Sequence, residues 1–159
     1  MKTIVISPWA RPLRNGKENA KNYPFWIELV EILKSNGFYI IQIGTSGEKP
    51  INAHEQKLNL NPDELEKLIK DSYKVITIDS YIQHLCWSIE KPCITIWGKS
   101  DPLIFGHPEN INLLKDRRNL RPDPWRWWEE IPYDPSVFVS PETIMLSIED
   151  HNLDKKPTV

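Results

Sequence analysis

Lys74-Val75-Ile76-Thr77-Ile78-Asp79-Ser80-Tyr81-Ile82-Gln83-His84-Leu85-Cys86 is the stretch that decides the fold. From Val75 to Ile78 every residue is β-branched, without the polar alternation of a half-exposed strand, as expected of a strand covered on both faces. Asp79 and Ser80 end that run. Helical spacing then takes over, with Ile82, Leu85, Cys86 and Ile89 forming the buried stripe of a helix from Tyr81 to Glu90. A buried strand that feeds straight into a helix is half of a parallel βαβ unit.

The same alternation extends in both directions. Upstream, Thr3 to Ser7 reads as a first strand, Phe25 to Ser35 as a helix with Trp26, Leu29, Val30 and Leu33 inward, and Phe38 to Ile43 as a second strand. Asn36-Gly37 is a helix stop. Asn61-Pro62-Asp63-Glu64 opens another helix, with Asn61 as cap and Pro62 in the first turn. Downstream, Cys93 to Trp97 reads as a strand closed by Gly98. Val137 to Val139 reads as a fifth strand, and Ser140-Pro141-Glu142 starts a last helix with Ile144, Met145 and Ile148 inward. The expected fold is α/β: a single Rossmann-like domain over residues 1–150, its mostly parallel sheet covered by helices, with a frayed tail over 151–159.

Composition narrows the function classes. The 159 residues are 40% hydrophobic and 26% charged, as in a globular domain rather than a disordered chain. A net charge of −2 and the lack of a continuous basic stripe argue against nucleic acid as a partner. No apolar run approaches the roughly 20 residues needed to span a bilayer. Lys2 to Ile6 runs into Pro8 and is too short for a signal peptide, so a cytoplasmic location is expected. Cys86 and Cys93 lack metal-ligand partners at useful spacing and read as buried thiols, so no metal is expected.

Ligands of an open parallel sheet bind beyond the carboxyl ends of its strands, near the reversal in strand order. That rule selects Pro8 to Lys21, Gly44 to Glu48, Asp79 to His84, and Gly98 to Asp101. In the third, Ser80-Tyr81 begins a helix whose first N–H groups can seat a phosphate. Ser80 can cap that helix, His84 lies one turn in, and Asp79 can hold loop amides or a ligand hydroxyl. An ordinary cap, a structural acid and a surface histidine fit the same residues. Glu48 suits a ribose diol, while Lys99, Arg11, Arg14, Lys17 and Lys21 can balance phosphate charge or form a solvated basic surface. Arg121 to Glu130, with Trp125, Trp127 and Trp128, suits sugar stacking, a protein interface, or cover for the sheet edge; cover or partner binding is the favoured reading.

Val75 to Leu85, followed by Lys91-Pro92-Cys93-Ile94-Thr95-Ile96-Trp97-Gly98-Lys99-Ser100-Asp101-Pro102, resembles the C-terminal domain of family 9 glycosyltransferases, the heptosyltransferases of lipopolysaccharide assembly. The family pattern is a strand ending Asp-Thr-Gly, two residues, His, a helix, Lys/Arg-Pro, a strand and Gly-x-[ST]-Asp-Pro. Ser80 stands for its Thr and Tyr81 for its Gly. Tyr23-Pro24-Phe25-Trp26 resembles the family's Trp-bearing lead-in to the first helix, Gly44-Thr45-Ser46-Gly47-Glu48 its Gly-to-Glu loop, and Val139 to Glu142 its closing helix.

The resemblance implies one half of a GT-B fold that holds a sugar-nucleotide donor such as ADP-heptose, with no other cofactor. By that resemblance Asp79, Ser80, Tyr81, His84, Gly98 and Lys99 face the diphosphate and neighbouring sugar, Gly44 and Glu48 the ribose, and Arg14 or Lys17 the phosphates. Tyr81 either narrows the pocket or offers its hydroxyl. The acceptor site and general base belong to the family's other domain, so no catalytic residue is assigned. The expected forms are one half of a split transferase, a stand-alone nucleotide or nucleotide-sugar binder, or a chain that transfers alone, as a monomer or a homodimer, using an acid such as Asp101 or Glu129.

Overall fold

A computed structural model describes the backbone of residues 1–154 and the side chains as far as Glu149. Strands β1 (Thr3–Ser7), β2 (Tyr39–Gly44), β3 (Glu55–Leu58), β4 (Lys74–Ile78), β5 (Ile94–Trp97) and β6 (Ile111–Leu114) are joined through helices α1 (Trp26–Ser35), α2 (Pro62–Asp71), α3 (Tyr81–Ser88) and α4 (Pro102–Phe105), except that β2 passes to β3 through a loop. Helix α5 (Pro141–Asp154) closes the fold. The six strands form one sheet in the order β3-β2-β1-β4-β5-β6. Every pairing is parallel, with Val5 opposite Ile41 on one side of β1 and Val75 on the other. This is the Rossmann-like α/β arrangement.

Side chains of successive strand residues enter two separate cores, as the pleat requires. Ile4, Ile6, Ile40, Ile76 and Ile78 meet α1 and α5, where Trp26, Leu29, Val30, Leu33, Ile144 and Ile148 are buried. Val5, Ile41, Ile43 and Val75 meet Ile69 of α2 and Ile82 and Cys86 of α3. Cys86 and Cys93 are buried and free. Trp26 anchors the first core: its ring is 1% exposed, and its Nε1–H donates to Pro8 O at 3.1 Å.

The strand readings of Thr3–Ser7 and Lys74–Ile78 match the observed bounds, and helix α1 ends at Ser35, with Asn36 as its C-cap and Gly37 at φ +84°. Asn61 caps α2, accepting from Glu64 N at 2.8 Å. Three features differ. β3 and β6 are edge strands of four residues each, and their partly polar, half-exposed side chains lack the buried-strand pattern. Residues 137–139 are not a strand: Pro135–Val137 is a short 3-10 turn, and Phe138 and Val139 follow in irregular structure. Of the tail expected to fray over 151–159, residues 151–154 continue α5, and the rest lies outside the described residues.

Val137, Phe138 and Val139 are apolar because they plug the space between the sheet and α5, not because they pair in it. Tyr23 donates its hydroxyl to Val139 O at 2.9 Å, and its ring meets Phe138 edge-on at 5.8 Å. A Cβ on Gly98 would lie 2.7 Å from the Phe138 ring. The Gly98→Ala variant should therefore lose about 1–3 kcal/mol of stability in denaturant unfolding, because overpacking a filled core forces its neighbours to move. An unchanged midpoint, combined with lost ligand affinity, would instead make Gly98 a ligand contact.

Candidate functional site

Chain connections leave β1 and β4 in opposite directions along the sheet, so a crevice opens above their carboxyl ends. Thr77 ties the two strands there, donating Oγ1–H to Ser7 O at 3.0 Å. Asp79 follows, 9% exposed. One of its oxygens accepts from Gln83 Nε2 at 3.1 Å, and the other lies 3.4 Å from Lys21 Nζ. The carboxylate is thus held by one amide and one ammonium at the floor of the crevice.

Ser80 occupies the N-cap of α3 in extended conformation, but its side chain makes no capping bond. Its Oγ instead shares a hydrogen bond with Thr77 Oγ1 at 3.1 Å. This corrects the expected cap: the first N–H groups of α3 are left to another acceptor. Tyr81 is 67% exposed and stands along the crevice wall. His84 faces a smaller adjoining cavity, its Nδ1 2.7 Å from His107 Nε2, and His107 stacks on Trp87 with ring centroids 4.3 Å apart.

At the end of β2, the Glu48 carboxylate lies across Gly44. A Cβ at Gly44 would sit 1.9 Å from Glu48 Oε2, so only glycine admits this placement. Thr45 Oγ1 donates to Glu48 Oε1 at 3.1 Å, and Gly47 makes the turn at φ +86°.

The first loop brings Arg14 to the crevice, with its guanidinium 5.6 Å from the centre of Trp127. Lys17 is not among the lining residues, and its backbone N–H donates to Asn15 Oδ1. Lys21, grouped in the sequence with the other basic residues, is the cation that reaches Asp79. Asn19 fixes it, accepting from Lys21 N at 3.0 Å and donating to Arg11 O at 3.0 Å. The sequence signal for Lys21 is its position two residues before the Tyr23-Pro24-Phe25-Trp26 lead-in to α1.

In the loop after β5, Gly98 and Lys99 stay out of the cavities. Lys99 Nζ donates to Pro132 O at 2.8 Å, whereas Ser100 lines the smaller cavity. Asp101 is also elsewhere. It caps α4 through Leu103 N and pairs with both terminal nitrogens of Arg117, which holds its carboxyl below the usual carboxylate range.

Residues 121–130 fold over the crevice as a strap. Arg121 stacks on Trp128 at 3.7 Å and donates to Arg126 O at 2.6 Å and to Pro124 O. Lys21 Nζ lies 4.9 Å from the same indole. Burial lowers the Arg121 pKa, while Asp79 and Asp123 oppose that shift. Trp125 and Trp127 are 74% and 66% exposed and line the crevice, and Glu129 O accepts from Asn15 Nδ2 at 3.2 Å.

The half-open crevice has a volume of about 860 Å³, in the range of small-molecule sites. Arg11, Arg14, Lys21, Lys57, Arg121 and Arg126 line it against only Glu48, Asp79 and Glu129. A chain of net charge −2 thus concentrates positive charge here, which favours an anionic ligand. Among the described residues, no group of three His, Cys, Asp or Glu could hold a metal ion, and no helix is long and apolar enough to cross a membrane.

Comparison with solved structures gives the fold a wider setting. The chain is similar to the E. coli heptosyltransferase WaaC with ADP (16% identity, TM-score 0.64), covering 94% of this chain and 43% of that one. It is similar to E. coli ADP-heptose lps heptosyltransferase II (16% identity, TM-score 0.70), covering 98% and 48%. It also resembles the dodecameric iron-containing heptosyltransferase TibC in complex with ADP-D-beta-D-heptose (17%, TM-score 0.57), covering 88% and 36%. The chain therefore spans less than half the length of these solved relatives. No curated protein matches it. The model of glycosyltransferase family 9 (heptosyltransferase) matches residues 2–119, most of the chain, and the protein belongs to that family.

Proposed function

We propose that the crevice binds the nucleotide diphosphate of a sugar-nucleotide donor, of the ADP-heptose kind, and that sugar transfer requires a second domain or partner. The observation that carries this reading is the cation-rich crevice beside the α3 N-terminus, whose N–H groups no side chain caps. Those N–H groups, with Lys21, Arg14 and Arg121, suit the diphosphate; Glu48 across Gly44 suits the ribose hydroxyls. The bound forms named for the solved relatives, ADP and ADP-D-beta-D-heptose, agree with this choice.

In transfer, an acceptor oxygen bonds to the sugar carbon as that carbon's bond to the β-phosphate oxygen breaks. The electron pair leaves with the diphosphate, where Lys21, Arg121 and the helix dipole stabilise the growing charge. The acceptor proton needs a base. Asp101 is committed to Arg117 and lies away from the crevice, whereas Glu129 lines it. A base from a partner half is the simpler arrangement, since the chain covers under half of its solved relatives.

One observation favours the second reading, a stand-alone nucleotide binder. The strap lines one side of the crevice, which already offers about 860 Å³ from this chain's own residues. Incubating the chain with ADP-heptose and a lipopolysaccharide-core acceptor, alone and with a separately expressed acceptor-half protein, separates the two. Release of ADP only in the mixture supports the split enzyme; tight ADP-heptose binding without transfer in either case supports the binder.

Calorimetry with ADP, UDP, GDP and ADP-sugars tests the binding reading directly. ADP should bind, and Lys21→Ala should weaken it at least about tenfold, equivalent to about 1.4 kcal/mol. If no nucleotide binds, the reading fails. Glu48→Ala should weaken ADP by a similar factor yet leave pyrophosphate affinity unchanged, because pyrophosphate has no ribose. Equal losses for both ligands would remove Glu48 from the ribose site.

A further inference from the structure

Of the three strap indoles, only Trp128 is turned into cover: it is half-buried, with the Arg121 guanidinium 3.7 Å from its centre. Trp125 and Trp127 line the crevice yet stay largely open to solvent, and Glu129 lines it with them. The backbone that carries all three is nonetheless fixed. Arg121 donates to Arg126 O and Pro124 O, Trp125 N donates to Asp123 Oδ1 at 3.0 Å, and Asn15 Nδ2 donates to Glu129 O. The Phe105 ring braces Trp125, meeting it edge-on at 5.1 Å. A strap held this way presents its indoles without the ordering cost that a loose loop adds on binding.

The acid beside the indoles sets the chemistry of an occupant. Of the three carboxylates in the crevice, Asp79 accepts from Gln83 and pairs with Lys21, and Glu48 accepts from Thr45. The Glu129 carboxylate has no hydrogen bond or ion pair among the described residues. A free carboxylate repels anions and accepts from hydroxyl groups. Indole faces attract the C–H side of a ring. Together they match a neutral saccharide, whose rings pair a face of C–H groups with an edge of hydroxyls. Position points to the sugar end of the crevice. Phe105 belongs to α4, which follows β5, whereas Gly44 and Glu48 follow from β2, and β1 and β4 lie between those strands. Trp125 therefore stands across the diphosphate seat from the ribose seat.

We propose that Trp125, Trp127 and Glu129 form a saccharide subsite that receives a neutral sugar of the acceptor, the indoles stacking on its ring faces and the carboxylate accepting from its hydroxyls. The acceptor role rests on the nucleotide reading above; the saccharide subsite itself does not. The strap lies past residue 119, where the family match ends, so this wall is outside the matched segment. A split enzyme would then divide the acceptor between its two halves.

Titration of the full chain with methyl glycosides of mannose, glucose, galactose and a heptose, followed by the indole N–H NMR signals of Trp125 and Trp127, tests it with and without saturating ADP. At least one glycoside should shift both signals saturably and continue to do so with ADP bound. By saturation transfer to the sugar, the double variant Trp125→Ala/Trp127→Ala should bind that glycoside at least about tenfold more weakly, with an unchanged melting temperature because both rings are largely exposed. Glu129→Ala should weaken the glycoside by about the same factor and leave ADP affinity undiminished, since it removes a negative charge from the crevice. Glycoside binding without ADP binding would sink the nucleotide reading and the acceptor role with it, and keep the saccharide subsite. The subsite is overturned if no glycoside saturates, even where an acceptor-half protein shifts the indoles. Displacement of the glycoside by adenosine, or equal losses of glycoside and ADP in Glu129→Ala, would give this wall to the nucleotide and overturn it as well.

Discussion

Everything at the functional edge depends on β1 being hydrogen-bonded to parallel partners on both sides, β2 and β4. A strand in that position sends its own connection one way while the connection after β4 goes the other. The backbone therefore cannot cover the gap between them. Into that gap come the N-terminus of α3, the loop after β1 and the turn after β2, each an end of regular structure with backbone polar groups to satisfy. The site is a consequence of strand order before it is a consequence of any side chain.

The sequence revealed most where burial was greatest. The runs Thr3–Ser7 and Lys74–Ile78 are legible because both faces of each strand are covered, which leaves an unbroken β-branched signature. β3 carries Glu55, Gln56 and Lys57 because an edge strand keeps much of its surface in water, and polar residues there look like a loop. Residues 137–139 misled for the opposite reason, since a buried plug and a buried strand have the same composition. In the site, Asp79 and Ser80 could be located because they immediately follow β4, and Glu48 because it lies in the turn after β2. Lys21 and Arg121 could not be ranked, because long irregular segments bring them in and the asparagine bonds and indole stacking that fix them have no periodicity.

The strap also changes the character of the domain. Residues 121–130 place three indoles and two guanidinium groups around a crevice that, in an open Rossmann-like sheet, would face solvent or another domain. Arg121 organises this wall by serving two roles at once: its terminal nitrogens bind strap carbonyls, and its plane lies on Trp128. Delocalised charge of this kind tolerates an aromatic contact better than an ammonium does, so lysine would not replace it equivalently.

The Glu48 carboxylate rests where the Cβ of any other residue at position 44 would stand. These two positions are therefore coupled through the resting place of the Glu48 carboxylate. A lineage that abandons the acid frees position 44 to accept a side chain. One that has filled position 44 cannot regain the acid in this geometry without first losing that side chain. The residue at position 44 thus decides where a carboxylate at position 48 can rest.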